Sequence, residues 1–569
     1  MMRRMTLIVC CILALFAVGE GNEVKSKHVT ENPVVTTPLG QIRGSLMTSR
    51  LGKTINAFRG IRYAKPPVDE LRFQPPVPVE KWGGVYDATK DGFLCPQPST
   101  SPVSEDCLIV NVYSTQLPRG SENPKRPVIV HIHPGGYYSA TSVSYWAGPQ
   151  YYMDQDIVLV TFNYRLGSLG FLSTGDKEAP GNNGLKDQVV LLKWVKQNIE
   201  AFGGDPNSVT IQGCSAGSWS VILHMVSPLS QGLFHKGVSM SGTPVGAWML
   251  PHNQLEIAKK QARIVGCPDD TSANIIKCLK TKPFKELGDS LFQFREFGYD
   301  PVLIWSPVIE DDFGQTRFLT AHPIDLIQSG KFQNVPFITG ITTDEFGYYA
   351  FNVVNNETLT KQINKDFYKI APIAFIYERD TNRSKIVSEG VKKSYLHDKP
   401  VDQSQFTALA NLYSDAIVGF SVNRAAKLIS QYSSENVYYY RFSYQGRYSH
   451  FYLPDSNNTT PYGVVHHDDL IYLFYISKLF PWFNATSPEV EMVEKLTTLY
   501  ANFAKTGNPT PTSTDKLDSV KWEPFTLKDQ KYLDIGKKLI MNEKLYEERY
   551  AEWEKLYPLN QISHRHHDL

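Results

Sequence analysis

Five short apolar runs rich in β-branched and aromatic residues mark the chain: "VIVHIH" from residue 128, "IVLVTFNY" from 157, "VTIQG" from 209, "VPFITGIT" from 335 and "VYYYRFSY" from 437. Most lack the apolar–polar alternation of a half-exposed strand, as strands buried on both faces do. Between them the period lengthens. In "LKDQVVLLKWVKQNIEAFG" the residues Val189, Leu192, Val195, Ile199 and Phe202 recur at helical spacing and mark one apolar face. Strands alternating with helices predict a mainly parallel sheet covered by helices, one large α/β unit. No repeat of about 20 to 50 residues, low-complexity segment or linker divides it.

The first apolar run is of another kind. "MMRRMTLIVCCILALFAVGEGN" places Arg3 and Arg4 before twelve apolar residues, Leu7 to Val18, and ends on small Gly19. As a helix that run reaches about 18 Å, short of a bilayer core of about 30 Å. It predicts a cleaved secretory signal over residues 1–19, a single unit over 20–558 and a tail over 559–569. No later stretch is long and apolar enough to span a membrane. With 569 residues, 42% hydrophobic and 12% aromatic, the chain can build a large core, which excludes a disordered protein. Net charge is only +1 with the signs interspersed, so neither a nucleic-acid footprint nor a polybasic membrane arm is present. Small molecules are the expected partners.

Export predicts oxidised cysteines. Of seven, Cys10 and Cys11 fall in the signal. Cys95 lies close to Cys107 and Cys267 close to Cys278, so two short-loop bridges are the economical pairing, which leaves Cys214 free. Glycan acceptor sequons at Asn356, Asn382, Asn457, Asn458 and Asn484 fit a secreted surface, although adjacent Asn457 and Asn458 cannot both be decorated. The terminal "HHDL" is similar to an endoplasmic-reticulum retention tetrapeptide with Asp568 in place of glutamate. Secretion is the expectation, with the reticulum lumen as the alternative.

The chemistry centres on "VTIQGCSAGSWSV", residues 209–221. A buried strand there turns sharply into a helix, and Gly213 and Gly217 permit the turn because a Cβ at either position would crowd neighbouring main chain. Ser215 sits at the tip, and the N–H of Ala216 can face a developing oxyanion. A second donor loop, "HIHPGGYYSA", presents Gly135 and Gly136 after the strand ending near His133, about 80 residues before the serine. A serine hydroxyl needs a base and an orienting acid, which in this fold class follow in the order acid, then histidine. The late histidines are His450, His466 and His467, and His466 in "YGVVHHDDLIYLF" is favoured by its loop position. For the acid, "VPFITGITTDEFGYY" offers Asp344 and Glu345 just past a buried strand. Local reasoning does not separate those two. Asp468 and Asp469 follow the histidine too closely to curl back onto it.

With these residues in place the chain resembles the type-B carboxylesterases, the cholinesterase-like branch of the α/β-hydrolases, over nearly its whole length after the signal. "FRGIRYAKPP", "SEDCLIVNVY", "NYRLGSLGFLS", "FGGDPNSVTIQGCSAGS", "MSGT", "TTDEFGYY", "GVVHHDDL" and "NFAKTGNPTP" stand in the order of that family's motifs. The resemblance implies an α/β-hydrolase fold with Ser215 as nucleophile, Glu345 as acid and His466 as base. It implies Gly135, Gly136 and Ala216 as oxyanion donors, bridges Cys95–Cys107 and Cys267–Cys278, and a mechanism without metal or organic cofactor. Three positions depart from the pattern: Pro134 replaces the first glycine of the oxyanion loop, Cys214 replaces a usual Glu or Gln, and His467 replaces the glycine after the histidine. "CPQPSTSPVSEDC", from Cys95 to Cys107, lacks the tryptophan with which cholinesterases bind quaternary ammonium. The chain most resembles the secreted carboxylesterases of insects, including juvenile-hormone-esterase relatives. Esters of uncharged, apolar molecules are therefore the expected substrates. The alternative is a non-catalytic adhesion or binding protein of the same fold, which this chain's intact candidate triad opposes.

Overall fold

A computed structural model describes residues 31–248 and 250–559. The signal expected over residues 1–19, with Cys10 and Cys11, and the terminal "HHDL" lie outside the described residues. All elements below belong to the unit that begins at Pro33.

A small sheet joins β1 (Val34–Thr37), β2 (Gly40–Arg43) and β5 (Val85–Asp87). The large sheet contains β3 (Ser45–Thr48), β4 (Thr54–Arg62), β6 (Ile109–Ser114), β7 (Arg126–Ile132), β8 (Val158–Phe162), β9 (Gly204–Cys214), β10 (Lys236–Met240), β11 (Phe337–Thr342), β12 (Val437–Phe442), β13 (Lys531–Ile535) and β14 (Leu539–Glu543). Its order is β14-β13-β12-β11-β10-β9-β7-β8-β6-β4-β3. From β13 to β8 every neighbouring pair is parallel. The parallel sheet read from the sequence is thus the centre of a mixed one, with antiparallel strands at both edges. The strand next to the β3 edge, β4, escapes pattern reading because its register shifts between Phe58 and Ile61, where Gly60 takes φ +72°.

Burial explains why the central strands do not alternate. Val128 and Val130 of β7, Val158 and Val160 of β8, and Val437 and Tyr439 of β12 enter one apolar cluster. Their neighbours Ile129, Leu159 and Tyr438 enter the other. Successive side chains of a strand point to opposite faces, so both faces of the sheet are core. Burying each such side chain contributes roughly 1.5 to 3 kcal/mol. The predicted helical face is buried as well, although the α-helix ends at Asn198 and Ile199–Phe202 continue as a 3-10 turn. The helix Ala216–Val226 is buried on all sides, with no exposed residue. Both predicted bridges are formed, with Cα separations of 5.1 Å for Cys95–Cys107 and 5.8 Å for Cys267–Cys278, and Cys214 is free and buried. The asparagines of all five sequons are exposed. Among the described residues no helix is long and apolar enough to cross a membrane.

Candidate active site

Parallel strands end their carboxyl termini on one side of a sheet, and the candidate residues come from the loops at those ends. Ser215 directly follows β9 and precedes the helix Ala216–Val226, with φ +57° and ψ −120°. This backbone is unfavourable for a residue with a side chain and is held by its surroundings. The Ser215 N–H donates to the Met240 carbonyl at the end of β10 (2.8 Å). A Cβ on Gly213 would lie 2.2 Å from the Gly217 carbonyl oxygen, and one on Gly217 would lie 2.1 Å from that of Ile132. Only glycine fits at either place, as the turn was read to require.

The loop expected to receive an oxyanion follows β7. Gly135 has φ +106° and Gly136 +58°, and a Cβ on Gly135 would strike the Ser139 carbonyl at 2.2 Å. The Gly135 carbonyl accepts from the N–H groups of Tyr138 and Ser139, both at 2.9 Å, which closes the turn. Pro134 is accommodated through its carbonyl, which accepts from Nδ1 of His133 at 2.8 Å. The His133 ring stacks on Tyr164, and burial lowers its pKa to about 4, so it stays neutral and keeps this bond. Gly136 and Ala216 line one cavity with Ser215, and Gly135 stands one residue back in the turn. The N–H groups of Gly135, Gly136 and Ala216 find no acceptor among the described residues. Those of Gly136 and Ala216 belong to residues that line the cavity.

Glu345 and His466 meet across 121 residues of sequence. Nδ1 of His466 lies 2.5 Å from Glu345 Oε2, the His466 N–H donates to the Glu345 carbonyl (3.1 Å), and Glu345 Oε1 accepts from the Thr342 N–H (2.8 Å). Both side chains are buried. A ring nitrogen facing a carboxylate carries a proton, so in the neutral imidazole it is Nε2 that holds the lone pair. Nε2 is buried and has no hydrogen-bond partner among the described residues. The imidazole packs at 4.3 Å against Phe346, which lines the Ser215 cavity.

The other candidates have structural places. Asp344 faces the loop before His466: its Oδ2 accepts from the Val464 N–H (2.8 Å), and its own N–H donates to the Val464 carbonyl (2.9 Å). Burial, then the charges of Asp468 and Glu345, raise its pKa. Asp468 accepts from the N–H groups of Val465 (3.0 Å) and His450 (2.8 Å) and pins the loop on both sides of His466. His450 therefore lies on Asp468 and not on Glu345. His467 has φ +78°, the region glycine favours, and burial followed by His466 and His450 pushes its pKa well down. Cys214 is fully buried, and burial, then Asp469 and Glu345, raise its thiol pKa well above the ordinary value.

Sequence reasoning missed Ser241. It lines the same cavity at the end of β10, with φ +57°, its N–H on the Gly340 carbonyl (2.9 Å) and a buried hydroxyl without a partner among the described residues. Its motif "MSGT" was visible, but nothing local assigned the serine a role. Besides Tyr137 and Gly242, the rest of the cavity wall is apolar: Trp219, Val302, Leu303, Phe346, Ile376, Ile417 and Val418. Val302 and Leu303 come from "FQFREFGYDPVLIW", whose aromatic residues were the more conspicuous feature.

The sequence model of the carboxylesterase family matches residues 31–553. A carboxylic ester hydrolase of Bombus ignitus is 36% identical over 540 residues, 92% of this chain and 93% of its own. The juvenile hormone esterase of Tribolium castaneum is 35% identical over 517 residues, 87% of each chain. The crystal structure of juvenile hormone esterase from Manduca sexta, with OTFP covalently attached, superposes with a TM-score of 0.82 at 28% identity, covering 93% of this chain and all of that one. The chain therefore belongs to the carboxylesterase family and is an ester hydrolase of α/β-hydrolase fold.

Proposed function

We propose that the protein is a secreted serine esterase that cleaves esters of uncharged, apolar molecules through an acyl-enzyme on Ser215. The observation that carries this reading is the buried Glu345–His466 pair at 2.5 Å, whose imidazole packs against Phe346 of the cavity that Ser215 lines and whose Nε2 has no hydrogen-bond partner among the described residues. His466 Nε2 takes the proton of Ser215 Oγ as the oxygen attacks the ester carbonyl. Glu345 holds the imidazole in the required tautomer and stabilises its charged form. The N–H groups of Gly135, Gly136 and Ala216 receive the oxyanion of the tetrahedral intermediate, each worth about 3 kcal/mol of barrier. The C–O bond to the alcohol breaks, His466 returns the proton to the leaving oxygen, and water then repeats the sequence on the acyl-enzyme.

The apolar cavity wall supports uncharged substrates, and a relative named as a juvenile hormone esterase is consistent with them. The signal over residues 1–19, the two bridges and the exposed sequons support passage through an oxidising secretory route. Turnover of p-nitrophenyl acetate by the purified protein, abolished by Ser215→Ala, is the expected result. Absence of turnover, or turnover unchanged by the substitution, contradicts the reading.

A further inference from the structure

The helix beginning at Phe406 is not regular along its length. Between the α-helical segments Phe406–Ser414 and Phe420–Tyr432, residues Asp415–Gly419 form a π-helical turn. Such a turn inserts one residue and re-aims the side chains it carries, and it recurs at functional sites. Two of its five residues, Ile417 and Val418, line the cavity that holds Ser215.

The turn is held from the far end of the chain. Asp415 is buried and accepts hydrogen bonds from the Tyr395 hydroxyl (2.7 Å) and from Arg549 Nη2 (2.9 Å), and Arg549 Nε stands 2.8 Å from its carboxylate as an ion pair. Arg549 belongs to the helix Glu547–Leu556, and its guanidinium lies 4.1 Å from the Tyr546 ring. The same helix supplies Trp553, whose Nε1–H donates to the Tyr395 hydroxyl at 3.0 Å. It also supplies Tyr550, whose hydroxyl would lie 2.6 Å from a Cβ on Gly419. Burial pushes the Asp415 carboxyl up to about 6, so keeping it here is costly. A buried ion pair is a weak source of net stability, and its best-attested use is to specify one arrangement over its neighbours. The arrangement specified here is the π-turn.

Ligand pockets usually measure about 300 to 1,000 Å³, whereas the Ser215 cavity has a volume of about 50 Å³. A site this small responds to small displacements of Ile417 and Val418. The acyl group stays bonded to Ser215 after the alcohol leaves, so the acyl chain is the substrate part that must fit beside them. We propose that Asp415 and Arg549 form a latch through which the C-terminal helix fixes the π-turn and so limits the length of acyl chain accepted at Ser215. This rests on the serine-esterase reading above. Asp415 is a positioning residue here, since it touches the turn and not the reacting atoms.

The readout is the ratio of kcat/KM for p-nitrophenyl hexanoate to that for p-nitrophenyl acetate, measured well below the unfolding temperature. Asp415→Asn, which turns an amide towards Arg549, is expected to raise the ratio at least fivefold over wild type. Tyr395→Phe removes one donor at lower cost to folding and is expected to raise it in the same direction; it decides the matter if Asp415→Asn does not fold. His224→Gln, a core substitution in another region, controls for loss of stability alone and is expected to leave the ratio at the wild-type value. A less than fivefold rise in folded Asp415→Asn, no rise in Tyr395→Phe where that variant decides, or an equal rise in His224→Gln, overturns the latch. Wild-type protein that hydrolyses neither ester overturns the esterase reading, and the latch with it.

Discussion

The surroundings of His224 and of His466 bury an imidazole almost equally, to 0% and 3% exposure, and treat it in opposite ways. Around His224, on the helix that starts after Ser215, both ring nitrogens are satisfied, Nδ1 by Ser230 Oγ (2.7 Å) and Nε2 by Gln188 Oε1 (2.8 Å). At the strand ends, His466 spends Nδ1 on Glu345 and leaves Nε2 without a partner. His131 Nδ1, His133 Nε2 and His467 Nε2 are also buried without a partner among the described residues, so what sets His466 apart is the Glu345 carboxylate on its Nδ1 and its packing against Phe346 of the Ser215 cavity. Completion suits architecture. An imidazole kept incomplete beside a cavity suits proton transfer, and the free N–H groups of Gly135, Gly136 and Ala216 repeat that contrast on the donor side.

The strongest way to break the contrast is to remove each ring. His466→Ala is expected to lower kcat of the folded enzyme by about 10⁴-fold or more, and to lower stability as well, because it leaves the buried Glu345 carboxylate without its partner. His224→Ala is expected to destabilise by about 2 to 4 kcal/mol, through a cavity and two orphaned partners. Its folded fraction should keep kcat. Steady-state kinetics paired with urea unfolding reads both, and a His224→Ala enzyme that is stable but inactive would erase the distinction.

A smaller effect is expected from pH. Burial holds His224 and His131 at about 3 and His133 at about 4, below the ordinary value near 6.5. Between those limits the unfolded chain binds protons that the folded one refuses. These groups therefore contribute stability that is lost as pH falls from about 6.5 towards 3. Asp469 runs the other way. Burial, then the charge of Glu345, raises it to about 7, so the folded chain holds a proton the unfolded one releases, and its contribution is lost as pH rises from about 4 to 7. Unfolding free energies across that range should show Asp469→Asn gaining on wild type as pH rises. A constant difference would contradict the assignment.

The smallest effect concerns Cys214, next to Ser215 in sequence yet fully enclosed, with its thiol pKa pushed up. Iodoacetamide at pH 8 is expected to leave the native thiol unmodified and activity intact, and to label it only after unfolding. Rapid native labelling with loss of activity would show that the thiol is open to the site.

What was legible in the chain follows from how local each constraint is. Gly213 and Gly217 announce the turn because the clash a Cβ would make lies within that strand–helix junction or on the adjoining strand. Asp344 and Glu345 occupy one turn and carry the same group. The choice between them depends on which faces a loop 121 residues onward, and no local pattern encodes that. Resemblance to the family named Glu345, and the geometry gives Asp344 the separate task of holding Val464. The central strands were readable from unbroken apolar runs. The antiparallel edges were not, because the register shift near Gly60 breaks the period of β4 and a run buried on both faces, such as β6, does not reveal its direction.

The most direct measurement of the central claim is to mix the enzyme with excess p-nitrophenyl hexanoate, quench in acid within the first turnovers and map the peptides by mass spectrometry. A hexanoyl group on Ser215, absent from Ser215→Ala and scarce in His466→Ala, is the expected result. A hexanoyl group on another residue, or hydrolysis at full rate by Ser215→Ala, would contradict it.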